Sequence, residues 1–170
     1  MKTTEVLIKE HENILEIVEL LEKESENLGD KKIDREFYRK VIDFIRNYAD
    51  KFHHAKEEDI LFKEFCKAVE EQKAHCNPVE QMLHEHNLGR NFVKEMEQGL
   101  KEENKAKILD GAKGYAGLIR EHIFKENNIL YPMADEILNE KIQKSMIEKF
   151  KQAGQNKEKY LLTIKELKKR

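Results

Sequence analysis

Seven glycines and two prolines are the only chain-breaking residues in this 170-residue chain. A sheet protein needs turn residues roughly every 8–12 positions, and so sparse a supply cannot close many hairpins. Long helices are the alternative. Charged and apolar residues each make up 39%, with a mean hydropathy of -0.82. A chain of that kind buries a narrow apolar stripe along each helix and leaves a wide charged face in water. The length suits one domain. The expectation is an all-α fold over 1–170: a helical bundle over about 3–138 and a C-terminal helical extension over about 139–170.

Four stretches carry the 3.6-residue apolar period. The first runs from Thr3 or Thr4 to Leu28, stopped by Gly29-Asp30, with Leu7, His11, Ile14, Leu15, Val18 and Leu21 in its stripe. The second starts after an Asp34 cap and continues to about Ala74, through Tyr38, Ile42, Ile45, Ala49, His53, Glu57 and Ile60. Asn77-Pro78 breaks the chain, and Pro78 suits the first turn of the third helix, whose stripe includes Val79, Met82, His86, Val93 and Met96. Asn104 caps the fourth, with Ile108, Ala112, Tyr115, Ile119, His122, Glu126, Ile129 and Met133 facing inward. Short connections make this an antiparallel up-down-up-down bundle. The Lys-rich tail from Ile137, interrupted at Gly154, reads as one or two shorter helices on the bundle exterior.

Acidic and basic side chains nearly cancel, 34 against 32, which leaves no field suited to nucleic acid or an anionic membrane. No run approaches the roughly 18 apolar residues of a membrane span, and MKTTEVLIKEHENIL lacks the apolar centre of a secretion signal. Neither nucleic acid nor membrane is an expected partner, and the expected location is the cytoplasm. Cys66 and Cys76 are too few for a disulfide framework and lack C-x-x-C spacing. They read as ordinary thiols, with a regulatory disulfide as the weaker alternative. That leaves seven histidines to account for.

An internal repeat accounts for most of them. HHAKEEDILF, from His53, and HIFKENNILY, from His122, share the frame H-x-x-K-E-x-x-I-L-aromatic without a gap. KEHENI around His11 and HEHNLG around His86 share a Glu-His pair followed by Asn. One element falls on each helix, in the order EH, H-x-x-x-E, EH, H-x-x-x-E. Position for position, His122 matches His53 and Glu126 matches Glu57. At 100° per residue, His54 falls beside Asp50 and Glu58, off the inner face, and His84 is likewise off phase. His75 lies in a connection. Six groups then point inward: His11, His53, Glu57, His86, His122 and Glu126.

A lone histidine on an apolar face is commonly a hydrogen-bonded core residue, and an i,i+4 His/Glu pair is commonly a surface ion pair. Six such groups in twice-repeated order are hard to explain that way, because burying them uncompensated is costly. A pair of cations compensates them. Nitrogen and oxygen ligation without thiolate fits iron, manganese or zinc. H-E-x-x-H is absent, because Leu15 stands where its second histidine would be, and no histidine is preceded at three residues by Glu, which excludes the ferritin pattern.

These motifs, KEHENIL, FHHAKEEDILF, EHNLGR and HIFKENNILYP, resemble the hemerythrin-like, or HHE cation-binding, family over about Leu7 to Met133. The resemblance implies a four-helix bundle holding two iron ions in an oxo- or hydroxo-bridged non-haem centre. It further implies that His11 and His122 serve one iron and His53 and His86 the other, with Glu57 and Glu126 bridging. Oxygen-carrying members have a fifth histidine one turn from the third-helix ligand; here those positions are Met82 and Arg90. The implied function is binding or sensing of oxygen or a related small molecule such as nitric oxide or peroxide. The alternative is a di-iron enzyme, either a peroxidase or a nitric oxide-responsive repair protein; repair members usually carry an N-terminal cysteine pair not seen here. The partner is then a diatomic or peroxide ligand, with monomer and homodimer both open. Tyr115, two turns before His122, is a candidate hydrogen-bond donor beside the centre.

Overall fold

The computed structural model describes residues 2–72, 75–152 and 157–169. Helix α1 spans Thr3–Asn27, and the chain then turns through Gly29, whose φ of 39° lies in the left-handed region that glycine tolerates. Helix α2, Arg35–Phe44, starts at Asp34, whose carboxylate accepts the Phe37 N–H at 2.9 Å. It runs on through wide π-helical turns at Ile45–His54 and Glu57–Leu61 into α3, Phe62–Glu71. Helix α4 is Asn77–Glu102, with Pro78 in its first turn. Helix α5, Lys105–Lys125, is capped by Asn104 and continues through a π-helical turn at Glu126–Leu130 into α6, Tyr131–Ile137. Two further helices, α7 (Glu140–Gln152) and α8 (Lys157–Lys168), form the C-terminal extension. No strand occurs among the described residues, and the fold is the expected all-α bundle. The expected helix end near Ala74 and the break at Gly154 lie outside the described residues.

The π-helical turns change which residues face inward. Their hydrogen bonds run from i to i+5 and take in one more residue than an α-turn, so the apolar phase slips by about one position. Two of the three fall on the same segment of both repeats, EEDIL and ENNIL. The expectation that Ile129 and Met133 face the core is corrected accordingly: they are 51% and 37% exposed, while Leu130, Tyr131 and Ala134 are buried. In the first copy, Leu61 is buried and Ile60 only partly so.

Two apolar clusters fill the bundle, and the histidine layer lies between them. One gathers Ile14, Val18, Leu21, Tyr38, Val93 and Ile119 with their neighbours; the other gathers Leu7, Leu61, Phe65, Val79, Met82 and Leu130. The extension closes both. Met146 and Phe150 of α7 join the second cluster, and Tyr160, Ile164 and Leu167 of α8 join the first. Gly111 lets α4 and α5 approach closely, since a Cβ there would lie 2.9 Å from the Phe92 carbonyl oxygen.

Cys66 and Cys76 form a disulfide, with Cα atoms 5.4 Å apart. This corrects their reading as ordinary thiols. The reversal of the chain between α3 and α4 brings the two residues together, which ten positions along a continuing helix would not.

Candidate metal centre

Each histidine expected to face inward does so. His11, His53, Glu57, His86, His122 and Glu126 are all at most 1% exposed. Glu57 lies 3.6 Å from His53 Nε2 and 3.5 Å from His86 Nε2. Glu126 lies 3.2 Å from both His11 Nε2 and His122 Nε2. The rings of His11 and His53 are 4.5 Å apart, and the Nε2 atoms of His86 and His122 approach to 3.0 Å. Their ligand atoms gather as His11, His53, Glu57 and Glu126 in one group and as His54, His86 and His122 in another. The structure therefore places His11 with His53 and His86 with His122, which differs from the pairing the family resemblance implied. Each carboxylate reaches histidines of both pairs, and Glu126 also lies 3.9 Å from His86 Nε2.

Outside this layer, every ring is held by its other nitrogen. His53 Nδ1 donates to Glu10 at 3.1 Å and His122 Nδ1 to Glu85 at 2.8 Å. His86 Nδ1 donates to Glu58 at 2.7 Å and His11 Nδ1 to the Asn127 carbonyl oxygen at 2.8 Å. These contacts repeat across the two halves. The Glu of each Glu-His pair reaches the histidine of the following helix, and the residue after each inner Glu reaches the histidine of the Glu-His pair. The lysine of each H-x-x-K-E frame completes the set: Lys56 Nζ donates to Glu10 at 2.5 Å and Lys125 Nζ donates to Glu85. With Nδ1–H as donor, a neutral imidazole at any of these positions turns an unprotonated Nε2 inward, the tautomer that binds a metal.

Four inner atoms have no hydrogen-bond partner in the protein. His53 Nε2, Glu57 Oε2 and both Glu126 oxygens are buried and make no hydrogen bond. Two Nε2 lone pairs at 3.0 Å repel unless a proton or cation lies between them. Burial and the neighbouring Glu126 charge push the Glu57 carboxyl well above its usual range. Burial opposes ionisation of Glu126 too, but His122 and His11 overcome it and hold this carboxyl well below the usual range. His122 is raised to about 9 in spite of its burial, because Glu126 and Glu85 flank it. The donor set and its unsatisfied atoms fit cations.

A model of the hemerythrin HHE cation-binding domain matches residues 2–134. The chain belongs to that family. Comparison with curated proteins and with solved structures finds no match.

In this HHE domain, several residues beside the centre escape helical phase. His54 is 6% exposed, not on an outer face, and its ring stacks on His86 at 3.8 Å. The π-helical turn Ile45–His54 advances each residue by less than the α-helical 100°, so adjacent positions share the inner face. Burial and the nearby His86 hold His54 at about 3, so it is neutral. His84 is exposed, as expected.

Tyr131 takes the place expected of Tyr115. Its hydroxyl donates to Glu57 and lies 3.4 Å from His11 Nε2, and its ring stacks on His11. Tyr115 is buried, but its hydroxyl has no partner; it lines a cavity of about 140 Å³ with Asp50, His54, Gly89 and Arg90. Tyr131, Lys56, Lys125, Glu10 and Glu85 all stand inside the repeated motifs, which is the signal that marks them in the sequence. Among the described residues, no helix is long and apolar enough to cross a membrane.

Proposed function

We propose that this HHE domain is a non-haem di-iron protein that binds or senses oxygen or a related small molecule, nitric oxide or peroxide. His11, His53, Glu57, His86, His122 and Glu126 are the protein ligands in this reading. The observation that carries it is the position of the two carboxylates between the histidine pairs: Glu57 and Glu126 each contact imidazoles from both pairs. Iron suits imidazole and carboxylate donors without thiolate. A bound iron pair would supply coordination positions and electrons for exchange with such a ligand.

The protein's own residues supply orientation and enclosure. Glu10, Glu58, Glu85 and Asn127 fix the imidazole rings through Nδ1. Tyr131 holds Glu57 by its hydroxyl and brings a proton donor to the buried layer. The apolar clusters above and below exclude bulk water, so a small uncharged molecule meets less resistance than an ion. The cavity of about 140 Å³ against His54 and Tyr115 is of a size for a few atoms, not for a large substrate.

The test is ferrous loading under anaerobic conditions, followed by metal analysis and rapid mixing with oxygen or peroxide. Two irons per chain and a spectral change reversed by removing oxygen support the proposal. Clearly fewer than two irons after reconstitution, with His53→Ala and Glu126→Ala no worse than His84→Ala, would overturn the site. Repeated turnover of peroxide would assign the enzyme alternative instead.

A further inference from the structure

The two halves of the centre follow one plan, and one of the positions at which they differ lies directly beside a ligand histidine. His53 corresponds to His122, so His54 corresponds to Ile123, a buried hydrocarbon with no donor atom. We infer that His54 is a third imidazole ligand in the His86–His122 half, so that the two metal positions are unequal, with three imidazoles on one and two on the other. This rests on the di-iron reading proposed above and extends its ligand set.

Three independent features support the assignment. First, the ligand nitrogens of His54, His86 and His122 lie within 4.8 Å of one another, in a group separate from that of His11 and His53. Second, His54 is anchored in the same way as the other four rings. Its Nδ1 donates to Asp50 at 3.3 Å, and Asp50 is itself held by Arg90 Nε at 2.9 Å. A carboxylate on Nδ1 leaves Nε2 as the free donor atom, the arrangement usual behind metal-bound histidine. Third, the backbone is widened at this point. The π-helical turn Ile45–His54 ends on the two adjacent histidines and turns both inward, whereas no such turn precedes His122 in the second repeat. Turns of this kind are rare and gather at functional sites.

Arg90 ties the feature to the same half. It donates to Asp50 behind His54 and to Glu58 behind His86 at 2.7 Å, so one guanidinium orients the supports of two rings, one on the π-helical turn after α2 and one on α4. Glu58 has Asn127 as its counterpart in the other half, and no arginine bonds Asn127 among the hydrogen bonds of the described residues. The extra imidazole and the extra charge network therefore occur together.

The experiment uses the full chain with ferrous iron as the only added metal. Wild type is compared with His54→Phe, which keeps a stacked ring but no nitrogen, with His54→Glu, which returns a donor atom, and with His84→Phe. Iron per chain and competition with a chromophoric chelator are measured, with helical content checked by circular dichroism. The expected result is two irons in wild type and in His84→Phe. His54→Phe keeps one iron at wild-type affinity and holds the other at least roughly 10-fold more weakly, and His54→Glu recovers most of that loss. Proton NMR of the ferrous wild type gives a readout that needs no variant: five hyperfine-shifted imidazole N–H signals are expected, where four ligands would give four. Two irons held equally tightly in wild type and His54→Phe, or only four such signals, overturn the assignment while leaving the di-iron reading intact. Fewer than two irons in wild type overturns both.

Discussion

Tyr131 and Phe62 end the two copies of the repeat, and both lie on an imidazole, but only Tyr131 brings a hydroxyl to the centre. Tyr131 stacks on His11 with ring centroids 5.5 Å apart, and Phe62 stacks on His86 at 5.9 Å. The Tyr131 hydroxyl donates to Glu57, which belongs to the other copy. The near-symmetry of the bundle is thus broken by a hydroxyl in one half and by His54 in the other.

Replacing each tyrosine by phenylalanine separates the hydroxyls. Tyr131→Phe loses a buried hydrogen bond and is expected to cost about 1 kcal/mol in the metal-free protein, with iron content kept. Tyr115→Phe removes a buried hydroxyl that has no partner, so it should be neutral or slightly stabilising. Urea unfolding of both variants is the check, and equal losses would contradict the assignment of Tyr131.

Lys56 and Lys125 occupy one position of the repeat but differ in burial. The Lys56 side chain is 2% exposed, with its ammonium 3.5 Å from the Phe52 ring centroid and 2.5 Å from Glu10; Lys125 is 27% exposed. Lys56→Met leaves the Glu10 charge buried without that ammonium and should cost about 3–5 kcal/mol. Lys125→Met should cost only about 1 kcal/mol, because water can replace the lost partner. Denaturant midpoints of the two variants decide it.

Acid should unfold the metal-free protein through the outer carboxylates. Burial alone would raise Glu58 and Glu85, but hydrogen bonds from His86 and Arg90 to Glu58, and from His122 and Lys125 to Glu85, hold each at about 2. Their folded values lie below the unfolded value of about 4.3. Their contribution is therefore complete above that pH and is lost as pH falls toward 2. Unfolding midpoints at pH 7, 4 and 3 should fall steeply in wild type. A Glu58→Gln, Glu85→Gln variant should start lower at pH 7 and decline less over the same range.

The Cys66–Cys76 disulfide closes a short segment at the α3–α4 reversal, with a sequence separation of 10. Loop-closure entropy for a loop of that size gives about 2–3 kcal/mol. Cys66→Ser with Cys76→Ser, or a reductant, should lower the unfolding temperature without changing iron content, since neither sulfur lies in a ligand group. Metal analysis beside thermal denaturation tests both halves of that statement.

Much of this protein follows from its repeat. A six-residue inner layer, one Glu-His or H-x-x-x-E element per helix, and caps at Asp34 and Asn104 can be read from spacing alone, because side chains three or four residues apart share a helix face. The rest depended on contacts between helices. Glu10 supports His53 and not its neighbour His11, and Glu85 supports His122 and not His86; only the packing of one helix on another settles that choice. His54, Leu130 and Tyr131 reach the interior because π-helical turns shift the phase, and a rule of 100° per residue has no means of anticipating the shift. Periodicity describes a helix along its own axis. The pairing of His11 with His53 and of His86 with His122 arises across axes, where the neighbours determine which atoms meet.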